Sequence, residues 1–227
     1  MDPLPSRSLS TTQGSVLMEI SIHSLLEGAK RATGWVAVID VFRAFTTAAV
    51  ALANGASSIV MVRTVEEALE LRDAGIGQIC MGEVRGRAPP GFDFGNSPFE
   101  ISGVDFGGQT IIQRTSAGTQ GIVAAANQAD RLYATSLVTA EATVQAILLG
   151  SPAQVSLVAT GDNGIKRTDQ DELCAIYLRN RLEGRRSDAE AILRLILAGG
   201  EVARFHDPAR PVFAPRGRRH RARHRSL

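Results

Sequence analysis

Short apolar runs alternate with longer amphipathic stretches through most of the chain. The runs predict strands at 35–39, 58–62, 78–82, 110–114, 131–134 and 155–159, with a further strand near 16–20. The amphipathic stretches predict helices at 44–54, 64–74, 118–127, 139–149, 169–182 and 188–197. Such alternation is typical of a parallel sheet that is covered by helices on both faces. The pattern therefore predicts a three-layer α/β/α fold with a mostly parallel or mixed sheet.

Composition and charge separate a central body from two unusual ends. Hydrophobic residues make up 44% of the chain, which is enough for a sizeable core, and no apolar run reaches the ~18 residues of a membrane span. We predict one α/β domain over residues 15–205 after a flexible N-terminus at 1–14. An atypical basic tail follows at 206–227, in which six arginines and no acid lie within 216–227. Because those last residues bury little apolar surface, we expect the tail to be disordered and away from any pocket.

The two ends of the chain and its cysteines bear on the cellular location of the protein and on its binding partners. The first residues lack the contiguous apolar core of a secretory signal. Cys80 and Cys174 are far apart and have no metal-binding spacing, which argues against a disulfide framework or a zinc site. A cytoplasmic protein without membrane contact is the prediction. The arginine-rich tail can attract nucleic-acid phosphates, but it lacks interleaved aromatic residues, so nucleic-acid binding is the less favoured alternative.

The loop from Gly82 to Pro98 is the strongest functional candidate. It is rich in glycine and proline, and it leaves the carboxyl end of a predicted strand. Long loops inside compact domains are usually functional, and open α/β sheets bind ligands at the carboxyl ends of their strands. The loop carries two carboxylates, Glu83 and Asp93, and the polar pair Asn96 and Ser97.

A second candidate is the segment Asp40-Val41-Phe42-Arg43, in which a buried strand runs directly into a carboxylate. A buried acid costs solvation free energy unless it is paired or holds a metal. Arg43 can pair with Asp40 or bind a substrate phosphate through two hydrogen bonds. A purely structural ion pair is the alternative. Haloacid-dehalogenase-type phosphatases need a second aspartate where this chain has Phe42, so that mechanism lacks its acid.

Two helix starts complete the candidate chemistry. The segment 115–119 places hydroxyls and backbone N–H groups at a helix N-terminus, which is a possible anion site or an ordinary helix cap. The segment 169–172 is acidic. Its carboxylates can simply interact favourably with the positive end of the helix dipole. Alternatively, Asp171 or Glu172 can bind a magnesium ion or act as a general acid or base. We interpret the nearby Cys174 as a core residue.

Four segments, in order, resemble motifs of the 2-phosphosulfolactate phosphatase family. Segment 38–47 resembles the opening motif, and segment 82–98, with its Gly82-Glu83 start and its Asn96-Ser97-Pro98 end, resembles the most characteristic one. Segments 115–119 and 170–175 occupy the places of two further motifs. The resemblance covers roughly residues 35–185. The chain departs from the family pattern at Ala117 and Thr139, where the family has Asn, and at Gln170, where it has Glu.

This resemblance implies an α/β fold and magnesium-dependent hydrolysis of 2-phospho-3-sulfolactate to 3-sulfolactate and phosphate, a step of coenzyme M biosynthesis. The predicted catalytic residues are Asp40, Arg43, Glu83 and Asp171. The predicted ligands of Mg²⁺ are Asp40, Glu83 and Asp93. The predicted substrate-binding residues are Asn96, Ser97, Thr115, Ser116, Gly118 and Thr119. The expected partner is a small phosphorylated organic acid, and a homodimer is possible. The three departures leave a catalytically impaired, phosphate-binding relative as the alternative.

Overall fold

The computed structural model describes residues 18–202. The predictions for the N-terminus at 1–14 and for the basic tail at 206–227 lie outside these residues. The strands are β1 (Glu19–Ser24), β2 (Gly34–Ile39), β3 (Ser58–Met61), β4 (Ile79–Gly82), β5 (Thr110–Arg114), β6 (Ala129–Thr135) and β7 (Gln154–Ala159). The helices are α1 (Leu25–Ala29), α2 (Ala44–Ala53), α3 (Val65–Asp73), α4 (Gly118–Ala125), α5 (Ala140–Gly150), α6 (Asp169–Leu182) and α7 (Ala189–Ala198).

The strands form two parallel sheets. One has four strands in the order β1-β7-β2-β6, and the other has three in the order β3-β5-β4. The chain leaves the four-stranded sheet after β2, builds the three-stranded sheet, and returns through α4 to β6. Parallel strands flanked by helices confirm the predicted α/β/α class, although the strands are shared between two sheets.

Helices cover both faces of the four-stranded sheet. On one face, Ile39 and Leu157 pack against α5 and α6 in a cluster of buried side chains. On the other face, Val36 and Val38 pack against residues of α1, α2 and α4. Side chains alternate between the two faces of a strand, so β2 contributes to both clusters. This strand is therefore apolar throughout until Asp40.

Helix α2 connects the cores of the two sheets. Its Phe45 packs with Val38 of the four-stranded sheet, and its Ala51 packs with Met81 and Ile111 of the three-stranded sheet. On the opposite face of the three-stranded sheet, Cys80 and Ile112 pack against α3. The shared helix holds the two sheets in a fixed relation, which places their carboxyl ends around one cavity.

Local sequence signals account for several element ends. The Thr64 hydroxyl accepts the Glu67 N–H at 3.0 Å and caps α3, as expected of threonine at an N-cap. Helix α7 begins after Asp188, whose carboxylate accepts two backbone N–H groups. Among residues 18–202, no helix combines the length and the apolar character that crossing a membrane requires.

Candidate active site

A cavity of about 660 Å³ opens at the carboxyl ends of both sheets. Asp40 follows β2 of the four-stranded sheet, and Glu83 follows β4 of the three-stranded sheet. Both carboxylates face this cavity. The other polar residues of its wall are Arg43, Arg85, Asn96, Arg114, Ser116, Gln120, Asp162, Asn163, Thr168, Gln170 and Glu201. The structure therefore brings together the candidates that the sequence places at two separate strand ends.

Asp40 lies at the N-termini of two helices. Its Oδ1 accepts the N–H of Ala44, the first residue of α2, at 3.0 Å. Its carboxylate also accepts the N–H of Gly118, the first residue of α4. A Cβ on Gly118 would come within 2.9 Å of Asp40 Oδ2 and 2.8 Å of the Ala44 Cβ. Only glycine therefore fits at the start of α4, and two backbone N–H groups orient the carboxylate of Asp40.

Burial dominates the electrostatics of Asp40, which is only 6% exposed. Burial raises the pKa of Asp40 to about 8, and the negative charges of Asp171 and Glu83 act in the same direction. The two helix N–H groups oppose this rise because they stabilise the carboxylate. An ionised Asp40 in this cavity therefore gains from a cation beside it.

Arg43 supplies positive charge on the same wall. Burial lowers the pKa of its guanidinium, whereas the carboxylates of Glu83, Asp40 and Glu100 raise it. Arginine stays protonated in proteins. Arg43 thus faces a group of carboxylates, so the simple Asp40–Arg43 pair considered from the sequence is only part of its environment.

Glu83 ties the loop after β4 to the turn after β5. Its Oε1 accepts the Ser116 N–H at 2.6 Å. Its Oε2 accepts the Gly86 N–H at 2.6 Å and the Ser116 hydroxyl at 3.0 Å. The Arg114 guanidinium donates to the Glu83 carbonyl at 2.8 Å. Glu83 therefore organises this side of the cavity in addition to bringing a negative charge.

Asp171, predicted to be catalytic, lies behind the cavity wall. Its oxygens accept the N–H groups of Val41 at 2.8 Å and Gly161 at 2.9 Å, and the Thr168 hydroxyl at 3.2 Å. Burial raises its pKa to about 6. These hydrogen bonds join the ends of β2 and β7 to the start of α6. The catalytic role of Asp171 stays a prediction, and the contact with Val41 shows that Asp171 holds the segment that follows Asp40.

Asp93 does not join Asp40 and Glu83, so the expected convergence of three carboxylates is wrong. Its Oδ2 accepts the Cys80 N–H at 2.8 Å and lies 3.7 Å from the Arg72 guanidinium. These partners hold Asp93 on the far side of β4, outside the cavity wall. Within residues 18–202, no group of three or more His, Cys, Asp or Glu side chains is arranged to hold a metal ion.

The turn at 115–119 uses most of its own polar groups. The Thr115 N–H donates to the Thr119 hydroxyl at 2.8 Å, and the Thr119 N–H donates to the Thr115 hydroxyl at 3.0 Å. Helix α4 begins at Gly118 as predicted, but the Gly118 N–H is bonded to Asp40. The predicted anion site is therefore occupied by a carboxylate of the protein itself. Of the residues in this turn, Ser116 and Ala117 line the cavity.

The predicted pair Asn96 and Ser97 is divided. Ser97 lies outside the cavity wall, where its hydroxyl accepts the Glu100 N–H at 3.4 Å. Asn96 is buried in the wall, and its Oδ1 has no hydrogen-bond partner among the described residues. Gln170 repeats this pattern from the start of α6, because its buried Oε1 also lacks a partner within residues 18–202. Buried oxygens are rarely left unpaired, so both amides suit a ligand in the cavity.

Sequence reasoning missed several residues of the wall. Arg114, Arg85 and Gln170 line the cavity but were not predicted as site residues. Arg114 ends β5, beside the predicted turn at 115–119, and this position could have pointed to it. Arg85 lies within the long loop, in which only the two carboxylates and the pair Asn96 and Ser97 were predicted to belong to the site. Gln170 departs from the family pattern, but no role in the site was predicted for it.

Comparisons with known proteins agree with this picture. The model of a family described as 2-phosphosulpholactate phosphatase matches residues 20–204. A probable 2-phosphosulfolactate phosphatase of Bacillus subtilis is 36% identical over 181 residues, which cover 78% of this chain and 76% of that protein. A protein of the same description from Thermoplasma acidophilum is 33% identical over 169 residues, or 71% of this chain and 74% of that one.

A third relative, a probable 2-phosphosulfolactate phosphatase of Thermotoga petrophila, is 42% identical over 127 residues. The matched part covers 56% of this chain and 53% of that protein, so the chain spans about half the length of this relative. Fold, cavity and relatives place the chain in a family of phosphoric monoester hydrolases. It belongs to the 2-phosphosulfolactate phosphatase family.

Proposed function

We propose that this protein is a magnesium-dependent phosphatase that converts 2-phospho-3-sulfolactate and water to 3-sulfolactate and phosphate. The observation that carries this proposal is the meeting of Asp40 and Glu83 with Arg43 at one cavity. Hydrolysis of a phosphate monoester spreads negative charge over the phosphoryl oxygens in the transition state. A cavity that combines carboxylates for a metal with an arginine for the phosphoryl group can stabilise this negative charge.

The oxygens of the cavity wall fit a magnesium ion. Asp40 and Glu83 contribute carboxylates, and the same cavity is lined by Asn96 and Gln170, whose buried amide oxygens have no partner within residues 18–202. Magnesium prefers oxygen ligands, uses few protein carboxylates, and completes its shell with water and substrate phosphate. We expect Asp40 and one or both amides to hold the ion. Bound there, magnesium would polarise the phosphoryl group and offset its charge.

The protein groups have separate tasks in this proposal. Asp40, fixed by two helix N–H groups, presents a carboxylate of defined orientation at the reacting centre. Arg43 binds the phosphoryl oxygens and stabilises the charge that develops on them. Glu83 keeps the Ser116 turn and the loop after β4 in place. Held in this way, the polar groups need little rearrangement during the reaction.

The substrate is inferred from the relatives and from the charges on the wall. The relatives' names specify 2-phosphosulfolactate, a phosphate ester with further acidic groups. Arg43, Arg85 and Arg114 line the cavity, which suits a ligand with more than one anionic group. A phosphate ester of another small hydroxy acid makes similar demands. A cytoplasmic role in sulfolactate metabolism or coenzyme M biosynthesis is the corresponding proposal for the cell.

A catalytically impaired, phosphate-binding relative is the second candidate. Two of the three departures from the family pattern, Ala117 and Gln170, lie on the cavity wall. The third, Thr139, lies outside the wall, and its hydroxyl caps a turn by accepting the Ser136 N–H at 3.0 Å. The two wall positions are therefore the ones that can alter turnover.

Phosphate release separates the two candidates. The purified protein is assayed with 2-phospho-3-sulfolactate, 2-phospholactate and phenyl phosphate, each with Mg²⁺ and with a chelator. The proposal predicts phosphate release that needs Mg²⁺ and is fastest with 2-phospho-3-sulfolactate. Stabilisation of the protein by phosphate without any turnover would instead establish the impaired relative. Equal release in the presence of the chelator would contradict the magnesium requirement.

A further inference from the structure

A tight turn in the loop after β4 holds an arginine in an unusual backbone conformation. Val84 and Arg87 exchange two backbone hydrogen bonds, at 2.9 and 3.1 Å. Between them, Arg85 has φ of 50° and Gly86 has φ of 83°. Turns with two left-handed central residues favour Asn, Asp or Gly at the first of them. An arginine there costs conformational free energy, and such outliers concentrate at functional sites.

The site itself maintains this conformation. The Arg85 N–H donates to the Ser116 hydroxyl at 3.0 Å, and the Gly86 N–H donates to Glu83 Oε2 at 2.6 Å. The same Glu83 oxygen accepts the Ser116 hydroxyl. The backbone of Arg85 is thus fixed to the carboxylate that organises the cavity. Its side chain therefore starts from a defined point on the wall.

The guanidinium of Arg85 differs from its neighbours in what it contacts. Arg114 donates to the carbonyls of Glu83 at 2.8 Å and Arg63 at 3.2 Å, so its guanidinium holds the backbone of two loops. Arg43 lies among several carboxylates. The Arg85 side chain is exposed on the cavity wall, and within residues 18–202 its guanidinium forms no hydrogen bond or ion pair. Within the described part of the chain, no residue competes with a ligand for these donors.

We infer that Arg85 is a specificity-determining residue, which binds an acidic group of the substrate other than the phosphate. This inference rests on the proposed function and deepens it. A guanidinium offers two parallel N–H groups to a carboxylate, and its charge and donors suit a sulfonate as well. Arg43 and the metal engage the phosphoryl group, while Arg85 selects esters that carry a second anion.

Arg85→Gln tests the inference, and Arg87→Gln is the matched control. Arg87 belongs to the same turn and is exposed, but it lies outside the cavity wall. The substrates are 2-phospho-3-sulfolactate, 2-phospholactate and phenyl phosphate, which carry two, one and no additional acidic groups. We expect Arg85→Gln to lower kcat/KM for 2-phospho-3-sulfolactate by 10-fold to 100-fold, mainly through KM. We expect less than a twofold change with phenyl phosphate, and no change for Arg87→Gln with any substrate.

The second substrate identifies the acidic group. An equal loss with 2-phospholactate assigns Arg85 to the carboxylate, and a loss confined to 2-phospho-3-sulfolactate assigns it to the sulfonate. Either result supports the inference. An equal loss with all three substrates would overturn it, because Arg85 would then act on the phosphate or on Glu83. An unchanged preference among the substrates would overturn it as well.

Two further measurements test the role of Arg85 without relying on turnover, and they separate it from an effect on folding. 3-Sulfolactate, which carries no phosphate, should raise the Tm of the wild type and of Arg87→Gln but not that of Arg85→Gln. Arg85→Gly relieves the left-handed strain, so it should keep or raise the Tm while losing the substrate preference. Absence of phosphate release by the wild type would refute the proposed function alone. Stabilisation of Arg85→Gln by 3-sulfolactate to the wild-type extent would refute the role of Arg85 alone.

Discussion

Glu83 accepts the backbone N–H of Ser116 at 2.6 Å and the Ser116 hydroxyl at 3.0 Å, one with each carboxylate oxygen. This contact joins the loop after β4 to the turn after β5, directly at the cavity. Because Gly86 also donates to Glu83, the carboxylate satisfies three donors from two segments.

Glu83→Gln should impair both activity and stability. One oxygen becomes an NH₂ group that points at N–H or hydroxyl donors, so at least one buried hydrogen bond is lost. We expect kcat/KM to fall by about 100-fold or more and the free energy of unfolding to fall by about 1–3 kcal/mol, measured by phosphate release and urea denaturation. Glu66→Gln, on the exposed face of α3, is the control and should change neither. Wild-type activity in Glu83→Gln would remove Glu83 from the site.

Arg43→Ala should reduce turnover more than stability. Arg43 faces the carboxylates of Asp40 and Glu83, and we assign it to the phosphoryl group. Loss of one group that stabilises transition-state charge costs about 100-fold to 1,000-fold in kcat. Steady-state kinetics together with thermal melting separate the two effects. Arg63→Ala, whose side chain lies outside the cavity wall, is the control. Unchanged turnover in Arg43→Ala would reassign Arg43 to structure.

Without magnesium, the stability of the protein should fall as pH rises. Burial raises the pKa of Asp40 from 3.8 to about 8 in the folded protein. Between these pH values the folded state binds more protons than the unfolded state, so the free energy of unfolding decreases with pH. The raised pKa of Asp171, about 6, acts in the same direction. Urea denaturation at several pH values, with a chelator present, measures this slope.

Asp40→Asn is the matched variant for this pH dependence. Asparagine does not titrate, so its slope between about pH 4 and pH 8 should be shallower than that of the wild type, whatever its absolute stability. The part of the slope that remains should then end near pH 6, where Asp171 has titrated. Identical slopes in the two proteins would mean that burial does not raise the pKa of Asp40.

Asp171→Asn should act mainly through stability. Asp171 accepts hydrogen bonds from two backbone N–H groups and the Thr168 hydroxyl, and an amide can satisfy these donors with only one oxygen. We expect a loss of about 1–3 kcal/mol in the free energy of unfolding, measured in urea. Asp169→Asn, an exposed position on the same helix, should show little change. Unaltered stability with abolished turnover would instead support the predicted catalytic role of Asp171.

Much of the fold follows from local patterns. The run 110–114 and the stretch 169–182 coincide with β5 and α6, because apolar alternation and acidic helix starts are properties of neighbouring residues. The first strand was expected near 16–20 but lies at Glu19–Ser24, and α1 was missed because five residues offer little periodicity. The division into two sheets was also missed, because strand pairing depends on contacts between distant segments.

The site was predictable where a polar residue directly ends an apolar strand, as Asp40 does after β2. Within loops, the residue types were evident from the sequence, but the directions in which their side chains point were not. Asp93 and Glu83 share one loop, yet the Cys80 N–H and Arg72 hold Asp93 outside the cavity wall. Arg85 reaches the cavity only because Ser116 and Glu83 fix its turn. Such contacts between loops leave no local pattern in a sequence.

We propose that the cavity around Asp40 hydrolyses a phosphate monoester. The most direct measurement is phosphate release from 2-phospho-3-sulfolactate with Mg²⁺, comparing the wild type with Asp40→Asn at equal concentrations of folded protein. We predict magnesium-dependent turnover by the wild type and a loss of at least about 1,000-fold in Asp40→Asn, since the variant loses the carboxylate assigned to the metal. Turnover by Asp40→Asn at the wild-type rate would show that the Asp40 carboxylate is not needed for the reaction.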